Sequence, residues 1–481
     1  MRRHASGRSA TRGGRPAWLD ALLQPRRVAV VGASTDPRKI SGRPVSYLGR
    51  YGFRGIIPVN PHASTVQGNR AVPRIDAIDG PVDVAVIGLP AGQTVQAIEE
   101  LADLGCTAAI VLSSGWAEVG GDGPALQRRL VDISVATGIR VLGPNCLGAV
   151  SVARRIPLTF TSALDEIDLV PGRIALVSQS GAVASFLFSA AQRGGIGVHS
   201  MFSTGNEADL STAEVVGALA MDPDVSVIAG YVEGARDPIA LAAALSAARE
   251  TGTAVVLLPG GLTPPGSRAA SAHTGLPPIA GELAEIVERS GAHAVSGMQS
   301  LLDTATALAA RRPAGGRVAI VTISGGAGAV TADEAVRAGL DVPPLDPTTR
   351  GRLAGVVPAF GSVGNPVDIT GAAVADPRLL GRVLDVLSQA RSFDAVMVML
   401  GNVTDGEDEL VDALARFRHA SELAMAVAWV GGSGRPRAAL NRVAIPTYDD
   451  PGRAVRALAT ALASGTGVPE NRATEAEEVA S

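Results

Sequence analysis

Short aliphatic runs recur along this chain, separated by longer stretches in which apolar residues return every three or four positions. Arg27–Val31, Gly55–Val59, Val82–Leu89, Ala108–Ser113 and Arg140–Leu142 read as strands. Thr94–Leu104 and Ala125–Thr137 between them read as helices. Alternation at this spacing means βαβ units and a parallel sheet. This first module closes near Gly143-Pro144-Asn145-Cys146-Leu147-Gly148.

A second module opens with the strand Gly172–Val177, followed by Ser178-Gln179-Ser180-Gly181-Ala182-Val183. Its further strands are Val225–Tyr231 and Ala254–Leu258, and it ends near Ala310. Arg311 to Gly316 reads as a linker. A third module opens as the second does, with Arg317–Val321 and then Thr322-Ile323-Ser324-Gly325-Gly326-Ala327-Gly328. Asp394–Leu400 and Ala424–Val430 continue it. The expected class is α/β, with three consecutive doubly wound units over 19–150, 151–310 and 316–465. Disordered tails are expected over 1–18 and 466–481. A length of 481 residues agrees with three domains of roughly 150 residues each.

Composition narrows the classes. A net charge of −4 and a pI near 5.9 argue against a nucleic-acid partner. Two cysteines, Cys106 and Cys146, make neither a disulfide framework nor a metal-ligand spacing. A cytoplasmic setting and no metal site are expected. No apolar run approaches the roughly 18 residues that span a bilayer, so no membrane partner is expected. The first sixteen residues are basic and acid-free, which resembles a transit peptide but reads better as a disordered tail. Among 42 Lys and Arg residues the one lysine is Lys39, five positions after Ser34. An ammonium there suits a phosphate as a compact point charge. Aromatics are 3% of the chain, and no aromatic box is legible.

Three groups carry candidate chemistry. Val30-Val31-Gly32-Ala33-Ser34 is a small-residue loop directly after a strand, the place where α/β folds bind phosphates. It lacks the second and third glycines of a dinucleotide fingerprint. Pro58-Val59-Asn60-Pro61 supplies no acidic residue for a ribose, so NAD is disfavoured. Ser178–Gly181 and Ser324–Gly328 each present backbone N–H groups at a helix start, where anions are favoured. His273 follows the strand Ala254–Leu258 in a Gly/Ser-rich setting, and Glu233 ends another strand. A carboxylate can hold one imidazole nitrogen and leave the other as nucleophile.

Nine segments in order resemble the ADP-forming acyl-CoA synthetases, relatives of succinyl-CoA synthetase, and in particular the larger subunit of the two-subunit acetate–CoA ligases. They are Val28–Ser34, Pro58–Pro61, Ser113–Glu118, Gly143–Gly148, Ser178–Gly181, Thr204–Glu207, Val232–Gly234, His273–Gly275 and Gly364–Asp368. The resemblance implies a Rossmann-like CoA-binding domain followed by two flavodoxin-like ligase domains. Gly32, Ala33, Ser34, Lys39, Val59, Asn60, Pro90, Ser113 and Asn145 would meet coenzyme A. Ser178, Gln179, Ser180, Gly181, Gly325, Gly326, Ala327 and Gly328 would cradle a phosphoryl group. His273 would carry that group on a mobile loop, oriented by Glu233. ATP or ADP and Mg2+ would sit on an ATP-grasp beta-type subunit of a hetero-oligomer, and the substrate would be a small carboxylic acid or its acyl-CoA.

The chain departs from the family pattern at His62, Leu258 and Ala272, where the family usually has Lys, Lys and Ser, and at Leu276-Pro277-Pro278-Ile279. Three of these four departures flank the histidine. Two other readings fit the same residues: a CoA-binding module with decayed catalysis, or an acyl-CoA:phosphate acyltransferase without a nucleotide partner.

Overall fold

The computed structural model describes residues 14–274, 280–311, 315–403 and 405–464. Three main sheets form, as the three strand–helix modules lead one to expect. The first has the order β2-β1-β5-β6-β7 and is parallel throughout. Its strands are β1 (Val28–Val31), β2 (Ile56–Val59), β5 (Val84–Ile87), β6 (Ala108–Val111) and β7 (Arg140–Leu142), with a small hairpin, β3 (Thr65–Val66) and β4 (Asn69–Arg70), beside it. The second has the order β14-β13-β12-β10-β11-β8-β9. It comprises β8 (Gly148–Ser151), β9 (Ile156–Thr159), β10 (Pro171–Ser178), β11 (Val198–Ser203), β12 (Val227–Val232), β13 (Ala254–Pro259) and β14 (His293–Ala294). The third has the order β16-β17-β15-β18-β19-β20, from β15 (Val318–Thr322), β16 (Ser362–Val363), β17 (Val367–Asp368), β18 (Ala395–Gly401), β19 (Ala424–Val430) and β20 (Thr447–Tyr448).

Strands β1, β5 and β6 of the first sheet are buried on both faces, which is why their sequences are apolar throughout instead of alternating. Ala29, Val31, Ala85, Ile87 and Ala109 pack into one cluster with Ile98, Leu101 and Trp116. Val28, Val30, Val84, Val86 and Ile110 face the other way. They share a cluster with Ala175, Val177 and Phe202 of the second sheet. The first two modules therefore have one core in common, and the chain forms two compact units. The first unit comprises the described residues of Met1–Arg193 and Gly197–Leu301, the second those of Gly194–Ile196 and Leu302–Ser481.

The two units meet between Leu301 and Leu302. This point falls inside the helix Met298–Ala309. The second half of that helix belongs to the second unit because Asp303 accepts two 2.8 Å hydrogen bonds from the Arg453 guanidinium, and its carbonyl accepts the Tyr448 hydroxyl.

The antiparallel hairpin β8–β9, absent from the sequence reading, extends the second sheet past β11. No helix among the described residues is long and apolar enough to cross a membrane.

Candidate active site in the first compact unit

The loop after β1 is closed upon itself. Gly32 has φ +77°, and a Cβ there would lie 2.8 Å from Leu89 Cδ2, so glycine is required. The N–H groups of Gly32 and Ala33 both donate to the Val59 carbonyl, and that of Ser34 donates to the Ser41 carbonyl. Asn60 Nδ2 donates to the Ala33 carbonyl at 2.7 Å, while its oxygen accepts the N–H groups of His62 and Ala63. Gln67 Nε2 bridges the carbonyls of Ser34 and Gly42, 3.0 Å from each. Val59, Asn60 and the amides of Gly32–Ser34 thus shape the loop, and their hydrogen-bonding groups are engaged within the protein. The side chains it turns outward belong to Arg38 and Lys39, both exposed.

Ser113 and Asn145, both among the residues expected to meet coenzyme A, are neighbours. Asn145 has φ +53°, and its N–H donates to the Ser113 carbonyl. Asn145 Nδ2 donates to Asn206 Oδ1, and Asn206 Nδ2 reaches Glu118 and Gln127. The Ser113 hydroxyl is buried with no partner among the described residues. Burial alone would raise the Glu118 carboxyl, but hydrogen bonds from Asn206 and the N–H groups of Gly115 and Trp116 hold it below the ordinary range. Pro90 is exposed and caps the helix Ala91–Asp103.

The turn between β10 and the helix Gly181–Arg193 is stitched by its serines. Ser178 Oγ donates to the Ser180 carbonyl and accepts the Ser180 N–H, and Ser180 Oγ accepts the Val183 N–H. The same pattern stands at the start of the helix Gly325–Arg337. Thr322 Oγ1 donates to the Ser324 carbonyl and accepts its N–H, and Ser324 Oγ accepts the Ala327 N–H. These turns leave Gly181 and Ala182, and likewise Gly325 and Gly326, in first turns whose N–H groups have no intrahelical acceptor. Gly328 lies one turn in, where a Cβ would meet Thr322 Cγ2 at 2.8 Å.

Gln179 has a role its sequence context did not reveal. Its oxygen accepts the N–H groups of Glu233 and Gly234, and its Nε2 donates to Glu207 Oε1 and to the Gly234 carbonyl. All four hydrogen-bonding positions of the amide are used, and its oxygen holds the backbone at Glu233 and Gly234. Glu207 is fully enclosed, and burial pushes its carboxyl up despite bonds from Thr212, Gln179 and Thr204. Glu233 is buried, and its carboxylate takes a hydrogen bond from Tyr231, whose hydroxyl is raised first by burial and then by that charge. Gly260 leaves room for this pair, since a Cβ there would sit 2.7 Å from the Tyr231 oxygen.

His273 lies on a helix. Its backbone belongs to Pro264–Thr274, where a loop was expected. Two prolines at the helix start are tolerated in a first turn, and Thr263 receives the N–H of Gly266 on its hydroxyl and that of Ser267 on its carbonyl. Residues 275–279, including the two further prolines, lie outside the described residues.

A cavity of about 550 Å³ opens between the segment after β1 and the start of the helix Gly181–Arg193. Arg38 and Ile40 from the first loop and Arg43 at the start of the helix Arg43–Arg50 line one side, and Gly181, Ala182, Ser185 and Phe186 from the start of the helix Gly181–Arg193 line another. Leu112, Asn145, Cys146, Leu147 and Phe160–Ser162 complete it. Burial pushes the Cys146 thiol up to about 12, so it serves as a neutral wall group. The sequence reading named Asn145, Gly181 and, nearby, Lys39. It missed Arg38, Arg43, Phe160 and Phe186, and the two phenylalanines supply the aromatic wall that 3% aromatic content did not suggest.

Three family models match the chain: a CoA binding domain over residues 26–151, a succinyl-CoA ligase like flavodoxin domain over 171–308, and a ligase-CoA domain over 318–379. The alpha subunit of acetate–CoA ligase (ADP-forming) I of Pyrococcus furiosus is 31% identical, over 92% of this chain and 96% of that subunit. A trans-feruloyl-CoA synthase from an unknown prokaryotic organism is 33% identical over 79% of this chain, which spans 55% of that protein's length. Among solved structures, a dinucleotide-forming acetyl-coenzyme A synthetase 1 of Ca. Korarchaeum cryptofilum, in complex with phosphate and ADP, superposes with a TM-score of 0.83. It is 29% identical and covers 93% of this chain and 96% of its own.

Proposed function

The chain belongs to the family of ADP-forming acetate–CoA ligases, and we propose that it is the alpha-type component of an acyl-CoA synthetase that interconverts acyl-CoA, ADP and phosphate with a carboxylic acid, CoA and ATP. The observation that supports this most is the cavity, which joins the CoA-type loop (Arg38, Arg43) to the open first turn of the helix at Gly181 and Ala182. Cations on one wall and helix-end N–H groups on another suit a thioester and the phosphate that attacks it.

A phosphate oxygen attacks the thioester carbonyl, the C–O bond forms, the C–S bond breaks, and CoA leaves as its thiol. One imidazole nitrogen of His273 then attacks the phosphorus of the acyl phosphate, releasing the carboxylate. Phosphohistidine passes the phosphoryl group to ADP. Glu233 holds the other imidazole nitrogen, and Gln179 fixes Glu233. A covalent intermediate splits one difficult transfer into two easier ones. The first turn at Gly325 and Gly326, built like that at Gly181, is a second place able to receive the phosphoryl group.

Nucleotide and Mg2+ belong, in this proposal, to an ATP-grasp beta-type subunit in a hetero-oligomer, since the relative matched over 96% of its length is named a subunit alpha. The cytoplasm, where CoA and ADP are plentiful, is the proposed setting.

The test is to incubate the purified chain with a panel of acyl-CoAs and labelled orthophosphate beside His273→Ala. An acid-labile label on the wild type alone supports the ligase half-reaction. Released acyl phosphate without protein label points to the acyltransferase, and stabilisation by CoA without turnover points to a binding module.

A further inference from the structure

We propose that Tyr231 is a positioning residue for phosphoryl transfer to His273: its hydroxyl clamps one oxygen of the Glu233 carboxylate and so presents the other to the imidazole. The inference rests on the reading above that Glu233 orients His273. It is carried by how the ends of β12 and β13 are built.

Tyr231 and Glu233 stand two positions apart where β12 ends, and residues two apart along a strand project to the same side. Across the ladder, Leu258 of β13 lies opposite Tyr231, and Pro259 opposite Val232. The next residue, Gly260, donates its N–H to the Val232 carbonyl at 2.8 Å. A Cβ on Gly260 would lie 2.7 Å from the Tyr231 oxygen, 3.0 Å from the ring carbon that bears it and 3.1 Å from Glu233 Cγ. The Gly260 backbone is outside the left-handed region, so glycine serves here for space. The hydroxyl and the carboxylate share the room that the missing side chain leaves.

Glu233 is 7% exposed, and a carboxylate so far from water needs donors. Tyr231 donates to it, and burial, then the Glu233 charge, raise the hydroxyl, which keeps its proton for that bond. A single O–H engages one oxygen of a carboxylate, and the reading above gives the other to His273. The backbone of the same residue is fixed separately, by the Gln179 oxygen on the N–H groups of Glu233 and Gly234. Main chain and head group are thus held by two different residues. A carboxylate fixed at both ends gives up little rotamer freedom when the imidazole arrives, and such prior ordering is what orientation contributes to a transfer.

The experiment follows acid-labile labelling of the full chain by labelled orthophosphate. It uses whichever of acetyl-CoA, propionyl-CoA and phenylacetyl-CoA labels the wild type fastest. The wild type is compared with Tyr231→Phe, Glu233→Ala and the double variant. Tyr231→Phe removes one oxygen atom and keeps the ring. Its labelling rate at saturation is expected to fall about tenfold or more, the worth of one hydrogen bond to a charged group. The half-saturating concentrations of acyl-CoA and phosphate are expected to stay within about twofold of the wild type. In the Glu233→Ala background the same substitution should change the rate by less than about twofold, since a clamp acts only through what it holds. An unchanged rate in Tyr231→Phe, equal losses in both backgrounds, or a loss confined to half-saturation overturns the inference and leaves the ligase reading standing. If Glu233→Ala is labelled as fast as the wild type, the orienting role of Glu233 falls and the inference with it. If the wild type takes no label, the ligase reading falls as well.

Discussion

The side-chain oxygen of Gln179 accepts the backbone N–H of Glu233 at 2.5 Å, across 54 positions of sequence. This one contact connects the turn that begins the helix Gly181–Arg193 with the carboxylate proposed to orient His273. The same amide ties in Glu207 and Gly234. Gln179→Leu leaves several buried polar groups unpaired, at about 1–3 kcal/mol each. We expect it to lower stability in urea by at least about 3 kcal/mol and to cut His273 phosphorylation by tenfold or more. Unchanged labelling in a folded Gln179→Leu chain would remove Gln179 from the positioning role.

Gly32 is held at φ +77° against Leu89. Gly32→Ala combines a left-handed backbone with a contact that must open by several tenths of an ångström. A cost of about 1–2 kcal/mol is expected, together with a rise in the Kd of CoA as the loop shifts Arg38. Thermal melting with and without CoA separates the two effects, and a CoA-induced shift equal to that of the wild type would refute the second.

The matched turns at Ser178–Ser180 and Thr322–Ser324 predict matched losses. Ser178→Ala and Thr322→Val each remove one hydroxyl that both donates to and accepts from the serine two residues on. Each is expected to cost about 1–2 kcal/mol. Hydrogen exchange should show faster opening of the helix that follows the altered turn. Equal protection in variant and wild type would mean that the stitching does not hold these helix starts.

His199 gives the chain an acid-sensitive element. Burial, then Arg15 and Arg173, lower its pKa, against the opposing pull of Asp222 and Asp224. The unfolded histidine, near 6.5, takes up a proton before the folded one does. The stability this residue supports is therefore complete above about pH 6.5 and is lost as the pH falls from there towards the depressed folded value. The slope cannot exceed about 1.4 kcal/mol per pH unit for one proton. Denaturant titrations from pH 7.5 to 5 should show a shallower decline in His199→Gln than in the wild type, and parallel declines would exclude the residue.

Much of this molecule was legible along the chain. Ala424–Val430 is a strand with the expected limits, and Val28–Val31, Ile56–Val59 and Ala108–Val111 lie within the expected runs. These segments are uniformly apolar, a signal contained in a few neighbouring residues. The hairpin β8–β9 was missed because Gly148–Ser151 and Ile156–Thr159 become strands by pairing with each other and with β11, and neither is strongly apolar. The helix bearing His273 was missed because its glycine, serines and prolines read as loop. The capping by Thr263, which lets the helix start, is a matter of geometry.

The sequence by itself determined the main parallel strands, the tandem modules and the family, because strand runs, Ser/Gly turns and ordered motifs are local properties of the chain. Only the tertiary structure decided which polar groups are spent and which are left to a ligand. The side-chain amide of Gln179 is engaged by partners 28 and 55 residues away. Phe186 and Phe188 are two residues apart on one helix, yet one is 59% exposed at the cavity and the other is fully buried. Two positions on a helix point about 200° apart, and what each side then meets is set by packing between elements distant in sequence.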